Sequence, residues 1–263
     1  MLYKDFQETN IIITGASSGI GKELVRLLLP SKPQILAVDF DAAGLGKLQV
    51  EFPEIHILEA DLSSKSGNEK ILNWISTRWN RVDFCFANAG KAEFGPAENQ
   101  NWKEADQLFQ LNVHSPIQIG LALRELFPKA IFRLVITASA MSFWTIPGYS
   151  LYAASKSALL QWARTVWAEK SGDWLILVFP IATKTKFFET AGKDIPKAWP
   201  MQSPSWVATS ILRGVAKGRK RIFPSPLFLS MLVANRFLRF IRPLYQLLEQ
   251  RKYKKWLKKH SES

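Results

Sequence analysis

Tyr152 and Lys156 stand four residues apart in the run Tyr152-Ala153-Ala154-Ser155-Lys156, and Ser139 precedes the tyrosine by 13 residues. On a helix, positions four apart share a face, so the lysine lies beside the phenol. A carbonyl that is being reduced leaves a developing alkoxide, which needs a proton. A tyrosine hydroxyl supplies one when its pKa, about 10 unperturbed, moves toward working pH. A neighbouring ammonium favours the phenolate and moves it that way. Ser139 is placed to hydrogen-bond the substrate oxygen and hold it near the tyrosine. Tyr149 is the nearest competing phenol, but it lies seven residues from Lys156, so the helical pairing belongs to Tyr152. Other groups offer no second chemistry: His56, His114 and His260 lack metal-ligand spacing, and no metal is expected. The single cysteine, Cys85, sits in the apolar run Val82-Asp83-Phe84-Cys85-Phe86, which leaves no internal disulfide and fits a reducing compartment.

A second chemistry-bearing segment lies near the start of the chain. Thr14-Gly15-Ala16-Ser17-Ser18-Gly19-Ile20-Gly21 follows the apolar Ile11-Ile12-Ile13 and opens into the helical pattern of residues 22–28. Three glycines let the backbone turn sharply and approach a ligand, while the helix N-terminus offers N–H groups and partial positive charge to a pyrophosphate. Asp39 ends the next apolar run, 18 residues after Gly21. A carboxylate there can hydrogen-bond both ribose hydroxyls of an adenosine and repel a 2′-phosphate. No Lys or Arg lies between Gly15 and Gly21, and Phe40-Asp41 follows Asp39, so NAD is favoured over NADP.

The elements that must position these groups are legible as alternating short apolar runs and helix-length segments. The 263 residues are 47% hydrophobic and 22% charged, which excludes intrinsic disorder and small disulfide scaffolds. Strands are expected at 11–14, 34–39, 55–58, 82–86, 131–137, 174–179 and 221–223. Helices are expected at 20–29, 42–51, 67–79, 101–127 with an interruption near Pro116, 150–169 and 204–217. This order predicts an α/β fold, a doubly wound and mostly parallel seven-stranded sheet with helices on both faces. No linker divides the chain, so residues 1–224 are expected to form one domain and 225–263 a C-terminal amphipathic helical tail. Residues 1–8 show no apolar run of a secretory signal, and a cytoplasmic location is expected.

Together these motifs resemble the short-chain dehydrogenase/reductase family over about residues 8 to 223. The resemblance implies a Rossmann-type fold and a cofactor bordered by Gly15, Ser17, Ser18, Gly19, Ile20 and Gly21. Ala60-Asp61-Leu62 is similar to the family's adenine-ring contact, and Asn88-Ala89-Gly90 to the motif that supports the sheet and borders the cofactor. Asn112, Ser139, Tyr152 and Lys156 match the catalytic tetrad. What this implies is contact from Lys156 to the nicotinamide ribose and a water held by Asn112 that relays protons from the lysine to solvent. After the sixth strand the family commonly has Pro-Gly and then a threonine touching the nicotinamide carboxamide. Pro180 and Thr185 are in place, but Ile181 stands where glycine is usual, so a different backbone is expected there. Lys184 and Lys186, flanking Thr185, are either solvated or face an anionic substrate. Family members are often homodimers or homotetramers.

Residues 186–203 occupy the position of the family's variable substrate loop. Phe187, Phe188 and Trp199, with Met141, Phe143 and Trp144, are expected to line an apolar pocket for a hydrophobic or lipid-like alcohol or ketone. The net charge of +13 is uneven: residues 217–263 hold 13 basic and 2 acidic side chains, the rest 22 and 20. A near-neutral body argues against a nucleic-acid partner. Leu227, Met231, Ala234, Leu238, Ile241, Tyr245 and Leu248 recur in steps of three and four, Arg236, Arg239 and Arg242 fall on another face, and Pro243 is expected to break or kink the helix. The segment is shorter than the roughly 20 apolar residues that span a bilayer. It is expected to lie on an anionic membrane surface, or to pack as a partner helix or substrate cap. The leading reading is an NAD-dependent oxidoreductase of secondary alcohols and ketones. Its alternatives are a catalytically silent nucleotide-binding scaffold and an NADP-dependent carbonyl reductase.

Overall fold

The computed structural model describes residues 4–185, 187, 191–192, 194–196 and 198–261. Lys186 and Phe188 lie outside the described residues. Seven strands, β1 (Asn10–Thr14), β2 (Gln34–Asp39), β3 (His56–Glu59), β4 (Phe84–Ala87), β5 (Arg133–Thr137), β6 (Leu175–Val178) and β7 (Arg221–Ile222), form one sheet in the order β3-β2-β1-β4-β5-β6-β7. Every pairing is parallel. A parallel sheet is covered on both faces, which is why its strands read as unbroken apolar runs rather than alternating ones. Ile11, Ile12 and Ile13 of β1 are all fully buried.

Ile11 and Ile13 pack with Leu24 and Leu28 of α1 (Gly19–Leu28), Leu45 of α2 (Ala42–Glu51) and Ile211 of α7 (Pro204–Ala216). Ile12 packs on the other side, with Ile75 of α3 (Lys65–Ser76), Leu123 of α5 (Ser115–Leu126) and Leu159 of α6 (Ser150–Ala168). Removing one such side chain to alanine costs about 2–5 kcal/mol. At the ends of β1 the bonding is polar: the Asn10 backbone N–H donates to Asp83 Oδ2 at 2.8 Å and its Nδ2 to the Arg81 carbonyl at 2.9 Å. Cys85 of β4 is buried, and burial pushes its thiol up to about 12. The strand order reverses between β1 and β4, which opens a crevice at their carboxyl ends.

One helical expectation is refined and one needs correction. The segment 101–127 is α4 (Trp102–Phe109), a π turn at Gln110–His114, and α5. The interruption thus precedes Pro116. A proline lacks its N–H and crowds the carbonyl four residues back, here that of Asn112, and the backbone widens by one residue to accommodate it. The tail does not break at Pro243. It is α8 (Pro226–Ala234), a turn over 235–240, and α9 (Ile241–Ser261). Pro243 sits in the first turn of α9, where an N–H has no helical partner to lose. Asn235 Oδ1 accepts the Arg242 N–H at 2.9 Å and stabilises the bend. No helix among the described residues is long and apolar enough to cross a membrane.

Candidate active site

A cavity of about 1530 Å³ runs from the carboxyl ends of β1 and β2 to the inner side of α9. Gly15, Ser17, Ser18, Gly19, Ile20, Asp39, Asp61, Leu62, Asn88, Ala89, Gly90, Ser139, Tyr152, Lys156, Pro180 and Thr185 all line it. Gly21 and Asn112 stand behind its wall.

At one end the backbone makes the surface. A Cβ on Gly21 would sit 2.0 Å from the Gly15 carbonyl oxygen, so only glycine lets the loop fold onto the start of α1. Gly19 has φ +54, and a Cβ there would come within 2.8 Å of Thr185 Cγ2, so loop and post-β6 segment meet closely. Ser18 makes no side-chain cap at the start of α1, which leaves the first-turn N–H groups available to an anion. The Thr14 hydroxyl accepts the backbone N–H groups of Asn88 and Ala89 at 3.1 and 3.0 Å, tying β1 to the loop after β4. Asp39 Oδ2 accepts the Ser17 N–H at 3.0 Å and its hydroxyl at 2.8 Å, and Oδ1 accepts the Asp41 N–H at 3.1 Å. The carboxylate is thereby fixed with its face toward the cavity.

At the other end side chains converge. Tyr152 and Lys156 project from α6, and Lys156 Nζ lies 5.8 Å from the Tyr152 ring centroid and donates to the Thr137 carbonyl at 2.9 Å. Burial pushes the Tyr152 phenol up to about 12, partly opposed by its hydrogen bond with Ser139. Burial also holds the Lys156 ammonium down to about 7. The lowering expected from the lysine is thus not found: removal from water disfavours both charged forms. The phenol is in its protonated, donating form at neutral pH. Ser139 also accepts the Met141 N–H at 3.1 Å, which fixes the turn after β5.

Asn112 is buried in the π turn, where its Nδ2 donates to the Lys91 carbonyl at 2.9 Å and to Ser155 Oγ at 3.1 Å, and its Oδ1 accepts the Lys91 N–H at 3.0 Å. It clamps the segment after β4 against α6. Ile181 keeps a negative φ, as the non-glycine residues with positive φ among those described are Glu8, Lys32, Lys170 and Asp194. The expected backbone change is thus not a glycine conformation, and Ile181 adds apolar wall instead.

Met141, Trp144, Phe187 and Trp199 line the cavity, Trp199 at an 81% exposed rim. Phe143 does not. After the short turn Ala140–Ser142 it packs into Phe179 at 4.9 Å between ring centroids, while both it and Trp144 pack against Phe228. Lys184 is exposed. Sequence reasoning missed Lys91, Glu93 and Phe94 after β4, and Glu249, Lys252 and Tyr253 of α9, all of which line the cavity. The spacing of Leu227, Met231, Tyr245 and Leu248 did hold a signal, for all four line it. Glu249 had none.

The family model described as short chain dehydrogenase matches residues 9–195. The chain is 34% identical over 156 residues to a 1,2-dihydroxy-1,2-dihydronaphthalene dehydrogenase from Ralstonia sp, covering 57% of this chain and 60% of that protein. It is 26% identical over 238 residues to 11-beta-hydroxysteroid dehydrogenase 1A from Arabidopsis thaliana, covering 81% and 67%. The chain thus spans about 60% of the length of the first of these relatives. Among solved structures, a short chain dehydrogenase/reductase from Burkholderia phymatum in complex with NAD superposes with TM-score 0.74 at 19% identity, over 89% of this chain and 96% of that one. A short-chain dehydrogenase from Sphingobium yanoikuyae in complex with NADPH gives TM-score 0.74 at 24% identity, over 91% and 95%.

Proposed function

The chain belongs to the short-chain dehydrogenase/reductase family, and from that premise we propose that it is an NAD-dependent oxidoreductase interconverting a hydrophobic secondary alcohol and its ketone. The observation that carries this reading is that Tyr152, Lys156 and Ser139 face the same cavity as the glycine cradle. Gly15, Ser17, Ser18, Gly19 and Ile20 would hold the pyrophosphate, Asp39 the adenosine ribose, Asp61 and Leu62 the adenine, and Asn88, Ala89, Gly90, Lys156, Pro180 and Thr185 the nicotinamide half. A bound nicotinamide supplies or accepts the hydride equivalent. Tyr152 gives its phenolic proton to the developing alkoxide in reduction and takes it back in oxidation. Ser139 holds the substrate oxygen, and the Lys156 ammonium offsets the charge left on the phenolate. Asn112 acts as a positioning residue through Lys91 and Ser155. The relatives named for a naphthalene dihydrodiol and a hydroxysteroid support a ring-bearing apolar substrate.

Asp39 supports NAD. The NADP reading has one observation in its favour, Lys47 on the same wall; the other nearby lysine, Lys22, is paired with Glu51 at 2.6 Å. Steady-state kinetics with both cofactors test the choice. Wild type should favour NAD(H), Asp39→Ser should narrow the gap, and an NADP(H) preference in wild type would overturn it.

The proposed boundary between residues 1–224 and 225–263 falls where Ser225 caps α8, its Oγ accepting the Phe228 N–H at 3.1 Å. We propose that the bend after α8 seats this cytoplasmic enzyme on an anionic membrane. Phe237 is 82% and Phe240 62% exposed, beside exposed Arg236 and Arg239. Each basic residue near an anionic surface contributes about 1 kcal/mol. Flotation on anionic vesicles should fall with salt and with Phe237→Ser/Phe240→Ser, and equal flotation of variant and wild type would overturn the proposal. Exposed Trp102 and Leu121 on α4 and α5 support a homodimer or homotetramer, readable by light scattering.

A further inference from the structure

Beyond Tyr152 the cavity is not apolar throughout. α9 lies across it: Trp256 meets Phe94 edge-on at 4.9 Å between ring centroids, Gln246 hydrogen-bonds Thr145, and Lys259 pairs with Asp194 at 2.6 Å. These contacts reach the loops after β4 and β5 and the segment after β6, so the helix is a roof over the substrate end. On its inner side is Glu249, 9% exposed and, with Asp39, one of two buried carboxylates among the described residues. Asp39 lies at the cofactor end of the cavity and Glu249 at the opposite end.

Burying a carboxylate is costly unless it is paired and hydrogen-bonded. Glu249 Oε1 has Lys252 Nζ at 2.7 Å. A carboxylate accepts about four hydrogen bonds, so this one contact leaves capacity on a group that lines the cavity. Its charge reaches the Tyr149 and Tyr245 phenols, adding to the burial that raises both. Tyr149 in turn packs on Tyr152 with 6.2 Å between ring centroids. Tyr149, Tyr152 and Glu249 all line the one cavity, with the carboxylate on its α9 side. Arg251 and Lys252 line the same wall and disfavour a cationic ligand group.

We propose that Glu249, one turn after Tyr245 on α9 and countered by Lys252, forms a distal subsite that accepts a hydrogen bond from a neutral hydroxyl at the far end of the substrate. The substrate class is then an apolar molecule with two oxygen functions, one at Tyr152 and one at the roof. Placing the reacting oxygen at Tyr152 rests on the oxidoreductase reading.

The probes are 4-(4-hydroxyphenyl)cyclohexanol and its methyl ether, 4-(4-methoxyphenyl)cyclohexanol, titrated calorimetrically into the full chain with NADH present. Hydrogen bonds to charged groups set the scale, and wild type should bind the phenol roughly 10- to 100-fold more tightly than the ether. Glu249→Leu should bring that ratio to about one, and Glu249→Gln, which keeps a carbonyl acceptor, should retain part of it. NADH fluorescence verifies that each variant is folded. A merely structural Glu249 would weaken both probes together and leave the ratio unmoved. An unchanged ratio in Glu249→Leu, a ratio near one in wild type, or no binding of the phenol overturns the subsite. Turnover of the same alcohols with NAD is measured in parallel. If wild type shows the ratio without turnover, the oxidoreductase reading fails and the subsite stands.

Discussion

The cofactor end and the substrate end of the cavity are built by different means. Around Gly15 to Gly21 the surface is main chain, held by contacts that leave no room for an added methyl group and by a buried Asp39 whose bonds go to its own neighbours. Around α9 the surface is side chain, held by ring contacts and by ion pairs such as Lys259 with Asp194, both largely exposed. An exposed pair contributes about 0–1 kcal/mol. The first construction fixes one ligand shape and tolerates almost no change. The second fixes a volume and can be re-lined.

The largest expected effect lies where the two ends meet. Tyr152→Phe removes only the transferable proton, so turnover should fall by ~10²–10⁴ while NADH affinity, read by fluorescence titration, changes little. Retained activity would move the proton to another group, with Tyr149 the first suspect. Next is Gly21→Ala, which drives a methyl group into the Gly15 carbonyl. Overpacking costs about 1–3 kcal/mol, so calorimetry should show a Tm lowered by several degrees and titration an NADH affinity down roughly tenfold. A neutral Gly21→Ala would remove the contrast altogether. The smallest effect belongs to the roof. An edge-to-face ring pair is worth about 0.5–1.5 kcal/mol, so Trp256→Ala should raise KM for apolar alcohols roughly two- to tenfold. A comparable loss of NADH affinity in that variant would show the two ends to be one mechanical unit.

The same contrast explains what the sequence disclosed. Thr14 to Gly21, Asp39, and Tyr152 with Lys156 are patterns readable within short stretches of sequence, and all of them but Thr14, Ala16 and Gly21 reach the surface of the cavity. The inner strands were legible because burial on both faces writes itself into a run of apolar residues, whereas the edge strands β3 and β7 are only partly buried. Phe143 and Trp144, adjacent in sequence, could not be told apart without the turn that precedes them. Pro116 announced an interruption but not its position, since the crowding falls four residues upstream on Asn112. The path of α9 depends on Phe94, Trp144 and Asp194, all far away in the chain, and no periodicity within the helix names them. Glu249, carried on that helix, had no local signal for the same reason.

The three consecutive isoleucines of β1 carry a consequence for alignment. Sliding a strand by one residue ordinarily exchanges the side chains on its two faces and so exposes the error. Here a slip by one residue still leaves isoleucine at two of the three buried positions and brings Asn10 or Thr14 into the third. What distinguishes the correct setting is the pair of polar residues at the ends, Asn10 on Asp83 and Arg81, and Thr14 on the amides of Asn88 and Ala89. The information that aligns the phosphate loop therefore resides in a few hydrogen bonds at the margins of the strand, while its greasy middle supplies only adhesion.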